Sequence, residues 1–292
     1  MGGQGANERT PARASAGATY ARALRGLLPG RGAPSAHVPA RTIVADTVLE
    51  PLAVSRFDTV VDAPVRDTVS PAYLHTLGFA PSLELMTDPG FGLSVLGMVH
   101  VRNAFAQLRP VRVGEEVRAE VSLSPLRAVH NGTEVDILVA GSVDGEPVFT
   151  ESSTYLARGK TVPGAAAGQP AERMAMPDGL PATALWRLPR GIGPAYARVS
   201  GDYNPIHVSV LAAKAFGFRS TIAHGMYTAA RAFAAADPRL DAFDWTVQFA
   251  SPLTLPGTAG YAQFDRDAAG FSTAVFSPSK GKPHVLTRVQ KR

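Results

Sequence analysis

From Leu93 the apolar residues shift toward a period of two, first in LSVLGMVHVRNAF and then in PVRVGEEVRAEVSL, where Val113, Val117, Ala119, Val121 and Leu123 mark one face of strands. Gly114 punctuates them. TEVDILVAGSV and EPVFTESSTYLA complete an antiparallel set, with Asn131-Gly132 and Asp144-Gly145 as hairpin turns. Upstream, Arg41 to Val48 alternates as a strand, Leu49 to Val61 reads as a short helix opening near Pro51, and Pro71 to Phe79 and Pro81 to Met86 read as helical pieces broken at Gly78. Gly159 to Thr183 is rich in Pro, Gly and Ala with no apolar period, which predicts a linker. Beyond it the same order returns: a helical section over Ile192 to Ala236, then WTVQFASPLTL, TAGYAQFD, GFSTAVFS and KPHVLTRVQ as strands. NAFAQLRPVRVGEEV and VQFASPLTLPGTA echo each other, each an aromatic strand running into Pro and Gly. The pattern predicts duplication of one α+β unit.

The expected divisions are a disordered leader with a short helix (Thr19 to Leu28) over 1–39, a first unit over 40–158, a linker over 159–183 and a second unit over 184–292. A chain of 292 residues suits two cores of that size. With 45% apolar and 18% charged residues the composition is globular, and no run of about 20 apolar residues is present to cross a bilayer. MGGQGANERTPARASAGA has no apolar core of the length a secretory signal needs. There is no cysteine, hence no disulfide, thiolate metal site or thiol nucleophile, which fits a reducing cytoplasm. The net charge of +5 suits a phosphate-bearing ligand or an acidic carrier protein, while the scatter of its basic residues argues against nucleic acid.

The candidate chemistry lies between Tyr196 and His224, in YARVSGDYNPIHVSVLAAKAFGFRSTIAH. Asp202, Asn204 and His207 fall within six positions, on a turn where Gly201 allows unusual backbone angles and Pro205 disfavours helix just before it. A carboxylate and an imidazole held this way can act on one small volume as an acid/base pair. Taken singly, each has an ordinary structural reading, Asp202 capping a turn, Asn204 making a local bond, His207 and His224 as satisfied polar groups. Their combination on one fixed turn favours chemistry. The run HGMYTAARAFAAADP follows as an alanine-rich helix thin enough for a sheet to wrap, stopped at Asp237-Pro238. Its first N–H groups, at Gly225 and Met226, can stabilise an oxygen gaining negative charge, and Gly225 allows close approach to the backbone. GGQG and GRG lack the context of a phosphate loop, and Ser200 lacks that of a nucleophile. His207 and His224 are the only close histidine pair, with no third ligand evident, so no metal site is expected.

YARVSGDYNPIHVSVLAA resembles the signature of the MaoC-like, or hydratase 2, family of (R)-specific enoyl-thioester hydratases and dehydratases. The matching residues are Tyr196, Ser200 to Asp202, Asn204, Pro205, Ile206, His207 and Ala213. AKAFGF, IAHGM and QFASPLTLPG extend the likeness over the second half. The first half and KGKPHVLTRV look like two-unit actinobacterial 3-hydroxyacyl-thioester dehydratases. The resemblance implies a double hot-dog fold, α+β, with two antiparallel sheets each wrapping a central helix. It also implies a hydro-lyase of fatty-acid or related acyl metabolism that adds water reversibly to trans-2-enoyl-CoA or enoyl-ACP, with no cofactor. Asp202 and His207 would bind and activate the water, Asn204 orient them and Gly225 polarise the thioester carbonyl. Ser200, Tyr203, Ala223, His224, Met226 and Tyr227 would contact substrate. Which of Asp202 and His207 is the base stays open. So does the choice between CoA and acyl carrier protein, and between a monomeric pseudo-dimer and a homodimer.

The first half departs from the motif. FDTVVDAPVRDTVSPAYLHTLGF lacks SGDxNPxH, and His75 reads as an isolated helical histidine with no Asp/Asn frame, so a single site per chain is expected. Phe79, Leu83, Leu85, Met86, Phe91 and Leu93 are candidate lining for an acyl tail, against the plain reading of core. Two other functions fit the same residues: a hot-dog acyl thioesterase, and a non-catalytic acyl-thioester-binding subunit.

Overall fold

The computed structural model of the chain describes residues 8–9, 35–95, 97–169 and 171–292. Most of the expected leader, including Thr19 to Leu28, lies outside the described residues. Its described residues are 35–39 and β1 (Glu8–Arg9), which runs parallel to β2 (Ile43–Val48).

In the first unit Pro51 opens α1 (Pro51–Val60), its missing N–H falling where no helical partner exists. Ser70 caps α2 (Pro71–Leu77) by accepting from the Ala72 N–H, and α3 (Phe79–Met86) follows at Gly78. Strands β3 (Met98–Gln107), β4 (Glu116–Leu123), β5 (Arg127–Val129), β6 (Gly132–Val143) and β7 (Glu146–Arg158) come next. At Asp144-Gly145 both residues have positive φ, 51° and 83°, the twist a two-residue hairpin requires. The expected linker carries β8 (Ala166–Ala167), paired with β5.

The second unit opens on a strand that its sequence did not announce, β9 (Ala184–Leu188). The helical section expected over Ile192 to Ala236 is four helices: α4 (Ile192–Ser200), α5 (Pro205–Val208), α6 (Val210–Ala215) and α7 (Gly225–Ala236). Gly201, at φ 80°, ends the first of them, and Pro205 restarts the second. Strands β10 (Phe243–Phe249), β11 (Gly257–Phe264), β12 (Gly270–Phe276) and β13 (Pro283–Lys291) complete the chain.

Strand order makes the repeat explicit. The first unit runs β2-β4-β6-β7-β3 and the second β9-β11-β12-β13-β10, which in each, leaving aside the short β5 at the side of the sheet, is first, third, fourth, fifth, second. The units meet edge to edge, β3 against β10 and antiparallel, with Trp245 opposite Phe105, so neither edge is left open. Phe105, Phe149, Trp245, Tyr196 and Tyr227 are fully buried in one core that crosses this seam. The inner face of α7 is alanine, with Ala229, Ala230 and Ala232 almost wholly buried, and that thin face lies against β12 and β13. The chain is a double hot-dog. Two ion pairs tie its halves, Arg231 to Asp62 and Arg66 to Asp237.

Candidate active site

The turn between α4 and α5 is a chain of local hydrogen bonds. The Ser200 hydroxyl donates to the Tyr196 carbonyl and accepts from the Asp202 N–H. Asp202 Oδ1 then accepts from the Asn204 N–H at 3.0 Å, and Asn204 Oδ1 caps α5 by accepting from Ile206 N–H. Asn204 thus orients Asp202 through its backbone, while its side chain closes the next helix. A side chain on Gly193 would collide with the His207 carbonyl, so glycine there lets α4 pack directly on the turn.

His207 is buried, and its Nδ1–H donates to the Ile222 carbonyl at 2.8 Å, which leaves the lone pair on Nε2. Burial holds its pKa below the usual value, against the pull of Asp202, so the ring is neutral at pH 7. His224 lies on it, ring centroids 3.8 Å apart. Its Nε2–H donates to the Asp202 carbonyl at 2.9 Å, and burial, then the neighbouring His207, push it down to about 3. Two backbone carbonyls thereby fix both tautomers.

These groups line a cavity of about 170 Å³ at the seam between the units. Ala223, His224, Gly225 and Met226 bring the start of α7 to its wall, where the first N–H groups have no helical acceptor. His224 Nδ1, the Tyr196 hydroxyl and His100 Nε2 are buried without a hydrogen-bond partner. Buried polar atoms are normally paired, so orphans gathered around one cavity mark it as a place prepared for a polar ligand.

The structure brings Asp202, Asn204, His207, Gly225, Ser200, Ala223, His224 and Met226 to this cavity and leaves two expected contacts out. Tyr203 stands on the outer side of the turn, 39% exposed. Tyr227 points into the core against Tyr196, and Arg231 donates to its hydroxyl. Glycine at 225 has a further reason besides close approach of a ligand. A Cβ there would meet the Phe249 ring at 2.6 Å, so the position also makes room for an aromatic ring. Of the six apolar candidates for an acyl tail, Phe79 alone lines the cavity; Leu85, Met86, Phe91 and Leu93 belong to the main core and Leu83 packs with Phe79 and Val95. A third group does join the two histidines, since Asp202, His207 and His224 have ligand-capable atoms within 4.8 Å of one another and could surround a cation, though the backbone already holds one nitrogen of each ring.

His75 is the larger correction. It is not isolated: it lines the same cavity, and its Nδ1 lies 2.6 Å from Glu151 Oε1. The sequence signal for this was faint but present. Glu151, Ser153 and Tyr155 alternate along β7 on one face, a carboxylate where the period calls for an apolar side chain.

The MaoC like domain matches residues 194–275 of this chain. The 3-hydroxyacyl-thioester dehydratase X of Mycobacterium tuberculosis is 32% identical over 257 residues, 87% of this chain and 90% of that protein. The crystal structure of HtdX from the same organism superposes with a TM-score of 0.75 at 30% identity, covering 86% of this chain and all of that one. A MaoC-like dehydratase from Phytophthora capsici shares the fold, with a TM-score of 0.72 at 16% identity, over 89% of this chain and 97% of its own.

Proposed function

The chain belongs to the MaoC-like dehydratase family, and from that premise and the cavity's geometry we propose that it is an (R)-specific enoyl-thioester hydratase, reversible as a 3-hydroxyacyl-thioester dehydratase. The observation that carries this is the pairing of the Asp202 carboxylate with a His207 ring whose Nδ1–H is spent on a carbonyl and whose Nε2 keeps its lone pair. Such a nitrogen accepts a proton from water; a charged imidazolium could not. This favours His207 as the base in the hydration direction, a choice the sequence left open. Asp202 holds the same water and carries the proton exchange with C2.

The steps balance without an oxidant or reductant. Water oxygen bonds to C3 and one of its protons leaves for His207 Nε2, while the alkene electrons shift to C2 and the thioester oxygen. As the carbonyl re-forms, the proton taken up by His207 passes through Asp202 to C2, which completes the C2–H bond and leaves both groups as they began. The first turn of α7, at Gly225 and Met226, faces the transient oxyanion with free N–H groups and the positive end of the helix. No redox cofactor is required, since water and substrate keep all their electrons. The thioester is carried by CoA or acyl carrier protein, and we place the enzyme in the cytoplasm as a monomeric pseudo-dimer or a homodimer. Among the described residues no helix is long and apolar enough to cross a membrane.

The test is hydration of trans-2-enoyl-CoA, followed by loss of enoyl absorbance with chiral analysis of the product. Asp202→Asn and His207→Ala should each lower kcat/KM by about 10²- to 10⁴-fold, the range for a positioned acid or base, with folding intact. Near-normal turnover in both, or an (S)-product, would refute the assignment. Release of free CoA with the alkene untouched would select a thioesterase, and tight binding without turnover a binding subunit.

A further inference from the structure

Opposite the Asp202 turn, the wall of the cavity comes from the first unit. Bonded to His75 of that wall, the Glu151 side chain is only 1% exposed. Its Oε1 meets His75 Nδ1 at 2.6 Å and also accepts from Asn103 Nδ2 and, at 3.5 Å, from the Ser153 hydroxyl. A carboxylate taken that far from water is costly unless a cation and hydrogen-bond donors answer it. Three elements supply them, α2 with His75, β3 with Asn103 and β7 with Ser153. His100 stacks over Tyr155 at 4.5 Å and closes the frame from behind.

The titratable groups around His75 are Glu151 on β7, His100 on β3 with Tyr155 of β7 stacked on it, and Asp202 on the turn. Burial alone would lower the His75 pKa, but the charge and hydrogen bond of Glu151, with a further pull from Asp202, raise it above the usual value. His100 goes the other way. Burial and the charge on His75 drive it down to about 3, and burial drives the Tyr155 phenol up. Among these groups His75 is therefore the one whose charged form its surroundings favour.

We propose that His75, clamped by Glu151, is a positioning residue for the hydration: its imidazolium faces Asp202 across the cavity and keeps that carboxylate ionised and able to hold the water. The unit that lost the catalytic turn thus still supplies charge to the site of its neighbour. This rests on the reading of Asp202 and His207 as the water-handling pair.

Two measurements decide it. In the first, the His75 imidazole is titrated by NMR in the wild-type protein and in Asp202→Asn. His75 should be protonated at pH 6.5, and its pKa should fall in the variant, because coupling between two sites is reciprocal. A neutral His75 at that pH, or an unchanged pKa, overturns the proposal without reference to activity. In the second, the pH profile of enoyl-CoA hydration is compared in wild type, His75→Gln and the His75→Gln/Glu151→Gln double variant. Losing the cation while keeping Glu151 should move the acid limb of kcat/KM up by about one pH unit or more, as expected when a nearby opposite charge is lost, and removing both charges should bring part of it back. A lowered melting temperature with a superimposable profile would make the pair purely structural and overturn the inference. A wild-type protein that hydrates no enoyl thioester would instead overturn the functional reading on which it rests.

Discussion

Gly225→Ala tests the geometry of the site through one added carbon. The new Cβ would lie 2.6 Å from Phe249 Cδ1 and 2.7 Å from Cε1, where ordinary contact begins at 3.4 Å. Ring and carbon must therefore part by roughly 1 Å to reach van der Waals distance. Phe249 cannot withdraw toward His100, on which its ring packs at 4.6 Å and which is itself stacked at 4.5 Å on Tyr155, so the ring can only turn into the cavity it borders. Either the ring enters that cavity or the first turn of α7 gives, and with it the N–H groups aimed at the thioester oxygen. Misplacing such donors by about 1 Å, or losing one, costs on the order of 10²- to 10³-fold in kcat. That equals about 2.7 to 4 kcal/mol of transition-state stabilisation, with the ground state less affected because the oxyanion exists only transiently. The assay is steady-state hydration of enoyl-CoA, with melting temperature as the control for folding. A Gly225→Ala/Phe249→Leu double variant, which clears the ring edge, should recover part of the rate, the non-additivity expected of groups in contact. Turnover in Gly225→Ala within about threefold of wild type would refute the account, since an effect that small is far below that of one misplaced oxyanion donor. An equal loss in the single and double variants would refute the steric part of it.

The pH dependence of stability follows from the buried rings. His207, His224 and His100 are neutral when folded, the last two with pKa values near 3, so between pH 6.5 and about 3 the unfolded chain binds more protons and stability falls as the pH is lowered. Melting temperature should drop below pH 6.5, and His100→Phe should shallow the drop, while above pH 6.5 the raised pKa of His75 adds a decline of its own as that ring loses its proton; a Tm independent of pH from 7 to 4 would contradict the burial of these rings. Phe79 and Leu85 separate cavity from core. Phe79→Ala should change the relative kcat/KM of short and long enoyl-CoAs with modest loss of stability, whereas Leu85→Ala should cost about 2–5 kcal/mol of stability in denaturant unfolding and leave that ratio alone.

What the sequence could show depended on how far apart the cooperating residues lie. The turn from Ser200 to His207 was legible because its bonds span only two to four residues, and Gly201 and Pro205 carry backbone constraints that any reader can apply. The strand pattern was legible for a similar reason, since alternation records which face is buried, and β4 shows it plainly as Val117, Ala119 and Val121. The other wall of the cavity has no such local record. His75 and Glu151 are 76 residues apart, and His75 shares a cavity with Asp202 only because β3 and β10 join the two units into one sheet. Read within α2, His75 has no partner; read within β7, Glu151 is an acid out of period. Only the pairing of the two explains both, because a buried carboxylate calls for a cation and donors somewhere in the fold without saying where in the chain they lie. The break in the repeat therefore means something different from loss. Without SGDxNPxH the first unit has no water-handling turn of its own, yet the face it turns toward Asp202 holds two histidines and a tyrosine, one of those histidines bonded to a buried glutamate, where a mere scaffold would need only apolar side chains.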